Sequence, residues 1–106
     1  MLGPGLLESA YEACLEYELR RRQHRVLRQV GLPVTYEAIS LDVGYRIDLL
    51  VDDQIVVELK ASEGIAPVNR AQLTSYLRLS GCHVGLLINF HNYRLKDGIV
   101  RIVNDF

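Results

Sequence analysis

The chain has 106 residues, 49% of them hydrophobic and 24% charged, with a formal net charge of −1. That describes one globular domain with a single small core, and excludes a chain drawn by its overall charge to nucleic acid or membrane. No run approaches the ~18 apolar residues of a membrane span and Met1 leads into an acidic helix, not a signal peptide, so a soluble cytoplasmic protein is expected.

In chain order, Gly3-Pro4-Gly5 predicts a turn, and residues 6–23 a helix. Leu7, Ala10, Tyr11, Cys14, Leu15 and Leu19 recur at three- and four-residue spacing, the mark of one buried face. Acids early (Glu8, Glu12) and arginines late (Arg20, Arg21, Arg22) suit the helix dipole. Glu12 is read as solvent-facing. Val26 to Ile39 is β-prone, broken or bulged near Gly31 and Pro33. Residues 44–51 and 55–61 predict a hairpin around Asp52-Asp53-Gln54, followed by a loop over 62–66. Pro67 suits the first position of a helix running to about Ser80, with Gly81 just past its end. Residues 83–90 read as a buried strand, 92–98 as a turn region, and "IVRIVN" as a final edge strand. The order is αβββαββ, which predicts a mixed α/β (α+β) sheet with helices packed on it. Cys14 and Cys82 have no CxxC company, so two reduced, mostly buried thiols are expected instead of a disulfide framework or zinc site.

The hairpin "RIDLLVDDQIVVELKA", residues 46–61, carries the chemistry. Asp48, Glu58 and Lys60 interrupt runs otherwise apolar on both faces, which argues against a solvated face. Glu58 and Lys60 share a face by alternation. A two-residue turn at Asp52-Asp53 would oppose Asp48 to Val57 and send the two carboxylates to opposite faces. A three-residue connection, 52–54, would oppose Asp48 to Glu58 with Cβ atoms ~5 Å apart. Carboxylates that close repel unless a cation lies between them, and hard oxygen donors favour Mg²⁺ or Mn²⁺. A neighbouring lysine could then orient a water or stabilise charge developing on phosphorus. The plain alternative is a solvated hairpin with a cross-strand ion pair worth a few tenths of a kcal/mol.

D-x9-E-x-K on a hairpin after an acidic helix resembles the PD-(D/E)XK nuclease superfamily. "QLTSY", Gln72 to Tyr76, resembles the Q-x-x-x-Y motif of its recombination-repair exonuclease branch. "GLLESAY", Gly5 to Tyr11, resembles the signature of the small GxxExxY proteins classed in that superfamily, and "APVNRAQLTSYL" and "VGLLINF" are similar to the same group. The resemblance covers Gly3 to about Asn104. Members of that group carry a further helix ahead of the G-P-G turn, where only Met1 and Leu2 stand here.

The resemblance implies a restriction-endonuclease-like core over residues 1–106 and hydrolysis of phosphodiester bonds in DNA, with RNA as a second candidate. It assigns Asp48 and Glu58 to a Mg²⁺ (or Mn²⁺) ion, Glu8 to assist them, Lys60 to catalysis, and Gln72 to positioning with Tyr76 as its partner. Arg46 and Arg70 are candidate phosphate contacts. No added DNA-reading module and little sequence specificity are expected, and a homodimer like the small junction resolvases is a candidate assembly. A second reading is an inert nucleic-acid-binding or protein-assembly module that keeps the fold; clustered buried carboxylates argue against it. Tyr11 reads as packing. The arginine cluster from Arg20 to Arg28 reads as a solvated helix end before a phosphate grip. His24, His83 and His91 show no ligand spacing.

Overall fold

The computed structural model describes residues 4–42, 44–61, 63–91 and 98–104, with only the backbone of 4–7. Its elements are α1 (Pro4–Arg21), β1 (Val26–Gly31), β2 (Val34–Tyr36), β3 (Ile39–Leu41), β4 (Arg46–Val51), β5 (Ile55–Lys60), α2 (Pro67–Ser80), β6 (Val84–Asn89) and β7 (Ile99–Val103). Five strands form one mixed sheet in the order β1-β4-β5-β6-β7, and β2 and β3 pair as a separate small hairpin. All contacts in the large sheet are antiparallel except β5 with β6, the pair joined through α2.

Most boundaries follow local chemistry. Pro67 opens α2, and the Asn69 side chain accepts the Ala66 N–H at 3.0 Å. Gly81 closes it at φ 79, donating its N–H to the Leu77 carbonyl, which is the left-handed stop that glycine makes cheap. β7 is the edge strand its sequence predicts. Two elements differ from the sequence expectation. Pro4 and Gly5 are the first residues of α1, not a turn, as suits proline where no N–H partner is needed. The β-prone stretch after Val26 resolves into β1 and the β2–β3 hairpin, adding short strands to the expected order; Glu37 and Ala38 turn that hairpin at φ 48 and 69. The expected turn over 92–98 lies, Gly98 excepted, outside the described residues.

The sheet separates two apolar layers. On the α1 side Val26, Leu49, Val51, Val57 and Leu59 are buried, with Leu15 and Leu19 packed against them. On the α2 side the core is Leu32, Ile47, Val56, Leu73, Tyr76, Leu77, Cys82 and Leu87. α1 covers its side less completely than its sequence suggests. Ala10, Tyr11 and Cys14 are exposed, so only Cys82 of the two thiols is buried. Gly85 shows how closely α2 sits. A Cβ there would lie 2.9–3.0 Å from the branched end of Leu73, itself fully buried. Gly85→Ala is therefore expected to cost about 1–3 kcal/mol of overpacking, read as a Tm lower by at least roughly 4 °C. An unchanged Tm would mean that Leu73 has room to move.

Candidate active site

The hairpin connection decides the site. Asp52 and Asp53 both take left-handed conformations (φ 54 and 56), and the Gln54 N–H closes on the Val51 carbonyl at 3.0 Å. The Asp52 carboxylate is held by the Arg25 N–H at 2.8 Å and by His24 at 2.7 Å. Gln54 stays outside the ladder, so Val51 pairs with Ile55 and Leu49 with Val57. This is the three-residue connection, and the next step along both strands sets Asp48 against Glu58.

There the strands part. β4 pairs with β5 only over Leu49–Val51, whereas β5 runs on beside β6 as far as Lys60. Side chains take over where the ladder stops. The Asp48 N–H donates to Glu58 Oε1 at 3.1 Å, and the Leu59 N–H donates to Asp48 Oδ2 at 2.8 Å. Each carboxylate thus occupies the mouth of a fork and takes a backbone donor from the opposite strand. Glu58 is only 5% exposed, and Asp48 and Lys60 are half-buried.

Burial sets the electrostatics. It pushes the Glu58 carboxyl up to about 8, and the neighbouring Asp48 charge pushes the same way. Asp48 is raised as well, first by burial and then by Glu12. Backbone donors and the Lys60 charge pull both back without cancelling the rise. Near neutral pH the pair therefore holds a proton in place of a full second charge.

Because the strands diverge, both helix layers reach the fork. From α2, Gln72 donates its amide to the Tyr76 hydroxyl at 3.1 Å, the i, i+4 pairing of one helix face. Tyr76 is 5% exposed. Its hydroxyl is raised by burial and next by the Glu58 charge, and the Arg46 N–H bonds it. Tyr76 thus lies within reach of the carboxylate charges, and Gln72 is bonded to it. From α1, the acid that arrives is Glu12. It is 6% exposed and accepts from Arg28 Nε at 3.3 Å and from Gln29 Nε2 at 3.1 and 3.2 Å. Gln29 Nε2 also reaches Asp48 Oδ1 at 3.4 Å. Glu12 is not solvent-facing, then, and the sequence carries one clue to it. It lies four residues after Glu8 on the same face, and Glu8 itself is half-buried one turn earlier.

The remaining candidates lie apart from the fork. The Arg46 guanidinium turns toward Asp42 at 3.4 Å and the Tyr45 carbonyl at 3.0 Å. It lines a cleft of about 440 Å³ with Gln29, Gly31, Leu32, Pro33 and Asp42. Arg70 is exposed on α2, two residues from Gln72 and so on another side of the helix. Tyr11 stacks on Phe90 with ring centroids 4.0 Å apart, a packing role. The arginine cluster is neutralised where it stands: Arg20 pairs with Glu16, Arg22 with Glu18, Arg25 with Asp53, and Arg28 with Glu12 and Glu16. Sequence inspection gave no hint of Asn89, 1% exposed and registered beside Lys60 on β6.

A family profile of the PD-(D/E)XK nuclease superfamily matches residues 1–102. The chain belongs to the PD-(D/E)XK nuclease superfamily. Its mixed sheet, flanked by helices, is the restriction-endonuclease-like fold of that superfamily. Among solved structures, the crystal structure of SSO0001 superposes with a TM-score of 0.72 at 19% identity, over 99% of this chain and 54% of that one. The chain therefore spans about half the length of that protein, and the likeness is one of fold. No curated protein matches the chain. Members of the superfamily are in general nucleases that use divalent metals, so a nucleic acid is the substrate class membership implies.

The residues at the fork fit such an ion in donor type. Both carboxylates are hard oxygen donors, and Glu58 Oε2 has no hydrogen bond among the described residues. Among those residues no three His, Cys, Asp or Glu side chains converge as a ready-made cage. Two carboxylates with water and substrate oxygens completing the shell suit Mg²⁺, which keeps several waters. Among the described residues, no helix is long and apolar enough to cross a membrane.

Proposed function

We propose that this chain is a GxxExxY-type nuclease that hydrolyses phosphodiester bonds in DNA with Mg²⁺ or Mn²⁺ and little sequence preference. The observation that carries the reading is the opposed Asp48–Glu58 pair at the strand fork, Asp48 half-buried and Glu58 buried and raised to about 8. A protein keeps two repelling acids in a buried site at a cost in stability, and a divalent cation removes the repulsion. Asp48 and Glu58 would hold the ion, with Glu8 and Glu12 adding negative charge from α1. When bound, the metal neutralises phosphate charge and lowers the pKa of a bound water. Lys60 orients the attacking water or stabilises charge building on the phosphate oxygens. Gln72 holds the Tyr76 hydroxyl against the carboxylates and helps fix the site. Arg46 and Arg70 are weaker candidates for phosphate contacts flanking the cut. A single domain of this size offers a narrow contact surface, which a homodimer would widen.

The test is a cleavage assay with Mg²⁺ and Mn²⁺ on single-stranded, duplex, nicked and branched DNA, wild type beside Asp48→Ala. Metal-dependent cutting that disappears in the variant supports the assignment. Cutting that survives Asp48→Ala places the chemistry elsewhere. A wild type that neither cuts nor gains thermal stability from Mn²⁺ favours the inert module.

A further inference from the structure

Gln29 combines three features that plain strand packing does not require. Its backbone is left-handed, φ 52, inside a β-strand and without being glycine. Such a conformation is strained for a residue with a Cβ and persists only where the surroundings impose it. It also sits at a gap in the ladder. β1 pairs with β4 at Arg28↔Leu49 and again at Val30↔Ile47, while Gln29 and Asp48 between them do not pair.

The two strands turn over at that gap. Val26 packs with Leu49 and Val51 on the α1 side, but Val30 and Ile47 pack on the α2 side. Residues two or four apart on a regular strand share one face, so the face is exchanged at Gln29 and Asp48. The third feature is the side chain. Its amide lies between two carboxylates, 3.1 and 3.2 Å from the oxygens of Glu12 and 3.4 Å from Asp48 Oδ1. Only the NH₂ end of an amide can serve two acceptors at once. It does so without the positive charge by which arginine or lysine would compete with a metal.

We propose that Gln29 is a positioning residue for the candidate metal site, its left-handed backbone and bridging amide tying Glu12 of α1 to Asp48 and so fixing the orientation of the Asp48 carboxylate, whose other oxygen meets β5. This rests on the assignment of Asp48 as a metal ligand. Gln29 need touch neither metal nor substrate. A misplaced ligand costs metal affinity about 10–100-fold where such supporting contacts have been removed.

Gln29→Gly is the informative variant, because glycine adopts φ 52 without strain and removes only the amide. Two readouts separate positioning from plain support of the fold. In Mn²⁺ titrations followed by Tm, the variant is expected to need at least roughly 10-fold more metal for half its maximal shift, with kcat reduced and KM for DNA little changed. Gln29→Asn, which also tolerates this conformation but is one methylene shorter, should recover part of the loss. A wild-type midpoint in Gln29→Gly overturns the proposal.

The second readout needs no metal. A cycle of Gln29→Gly, Asp48→Asn and the double variant, in chelator, should give Tm shifts that miss additivity by roughly 4 °C or more. If wild type ignores Mn²⁺ but the cycle is coupled, the link to Asp48 stands and the metal assignment falls. An additive cycle overturns the link itself, whatever the metal does.

Discussion

Glu58→Gln is expected to make the metal-free protein more stable at pH 8, by several kcal/mol, while abolishing its response to Mg²⁺ or Mn²⁺. The Glu58 carboxyl titrates near 8 in the folded protein against an ordinary 4.5, chiefly because it is buried and next because Asp48 is beside it. Between those two values the folded chain keeps a proton that the unfolded chain has released. Wild-type stability is therefore fullest below about 4.5 and falls as pH rises toward 8. At ~1.4 kcal/mol for each pH unit between the two titrations, the loss is several kcal/mol. Asp48, raised in the same direction, steepens it. Glutamine keeps the oxygen that accepts the Asp48 N–H but carries no charge at any pH. The variant's profile should therefore be flatter, meeting the wild type near pH 4 and lying above it at pH 8. Urea denaturation in chelator across that range measures both curves. Parallel curves would mean that Glu58 ionises freely and that the buried-pair electrostatics are wrong.

The parts of this site that could be read in the sequence are those with a local cause. Pro67 and Gly81 bracket α2 because each has a backbone requirement or freedom of its own, and Gln72 and Tyr76 share a face because four residues make a helical turn. The hairpin left two registers open, and side-chain contacts outside it help hold the choice. Asp52 is gripped by Arg25 and His24 from the connection between α1 and β1, and Gln54 is left as the extra residue. Glu12 and Gln29 were hidden for a different reason. A left-handed residue inside a strand usually announces itself as glycine, and this one is glutamine. Without that kink, alternation cannot bring its amide to both α1 and Asp48. The apolar spacing of α1 misled in the other direction. Tyr11 and Cys14 continue the stripe of Leu15 and Leu19 yet remain exposed: among the described α1 side chains, it is Leu15 and Leu19 that pack against the buried cluster of the sheet.

Lys60→Ala should lower cleavage by ~10²–10³-fold through loss of one charge-stabilising donor, and the manner of the loss identifies what the lysine does. Its charge pulls down the proton affinity of both Asp48 and Glu58. Without it the two carboxyls hold their protons to higher pH, and a metal that must displace a proton binds less well at neutrality. The Mn²⁺ midpoint of Lys60→Ala should therefore rise at pH 7 and approach the wild-type value as rising pH removes the proton from both. If Lys60 also meets the water or the phosphate, cleavage will not recover with the metal. A variant saturated with Mn²⁺ at pH 9 should still cut ~10²-fold slower. Lys60→Arg sharpens the division. It restores the charge and hence the metal midpoint, but a planar guanidinium cannot replace a compact ammonium at one oxygen, so the rate should stay low. Recovery of full cleavage at pH 9 in Lys60→Ala would show instead that the lysine acts only by lowering the proton affinity of Asp48 and Glu58.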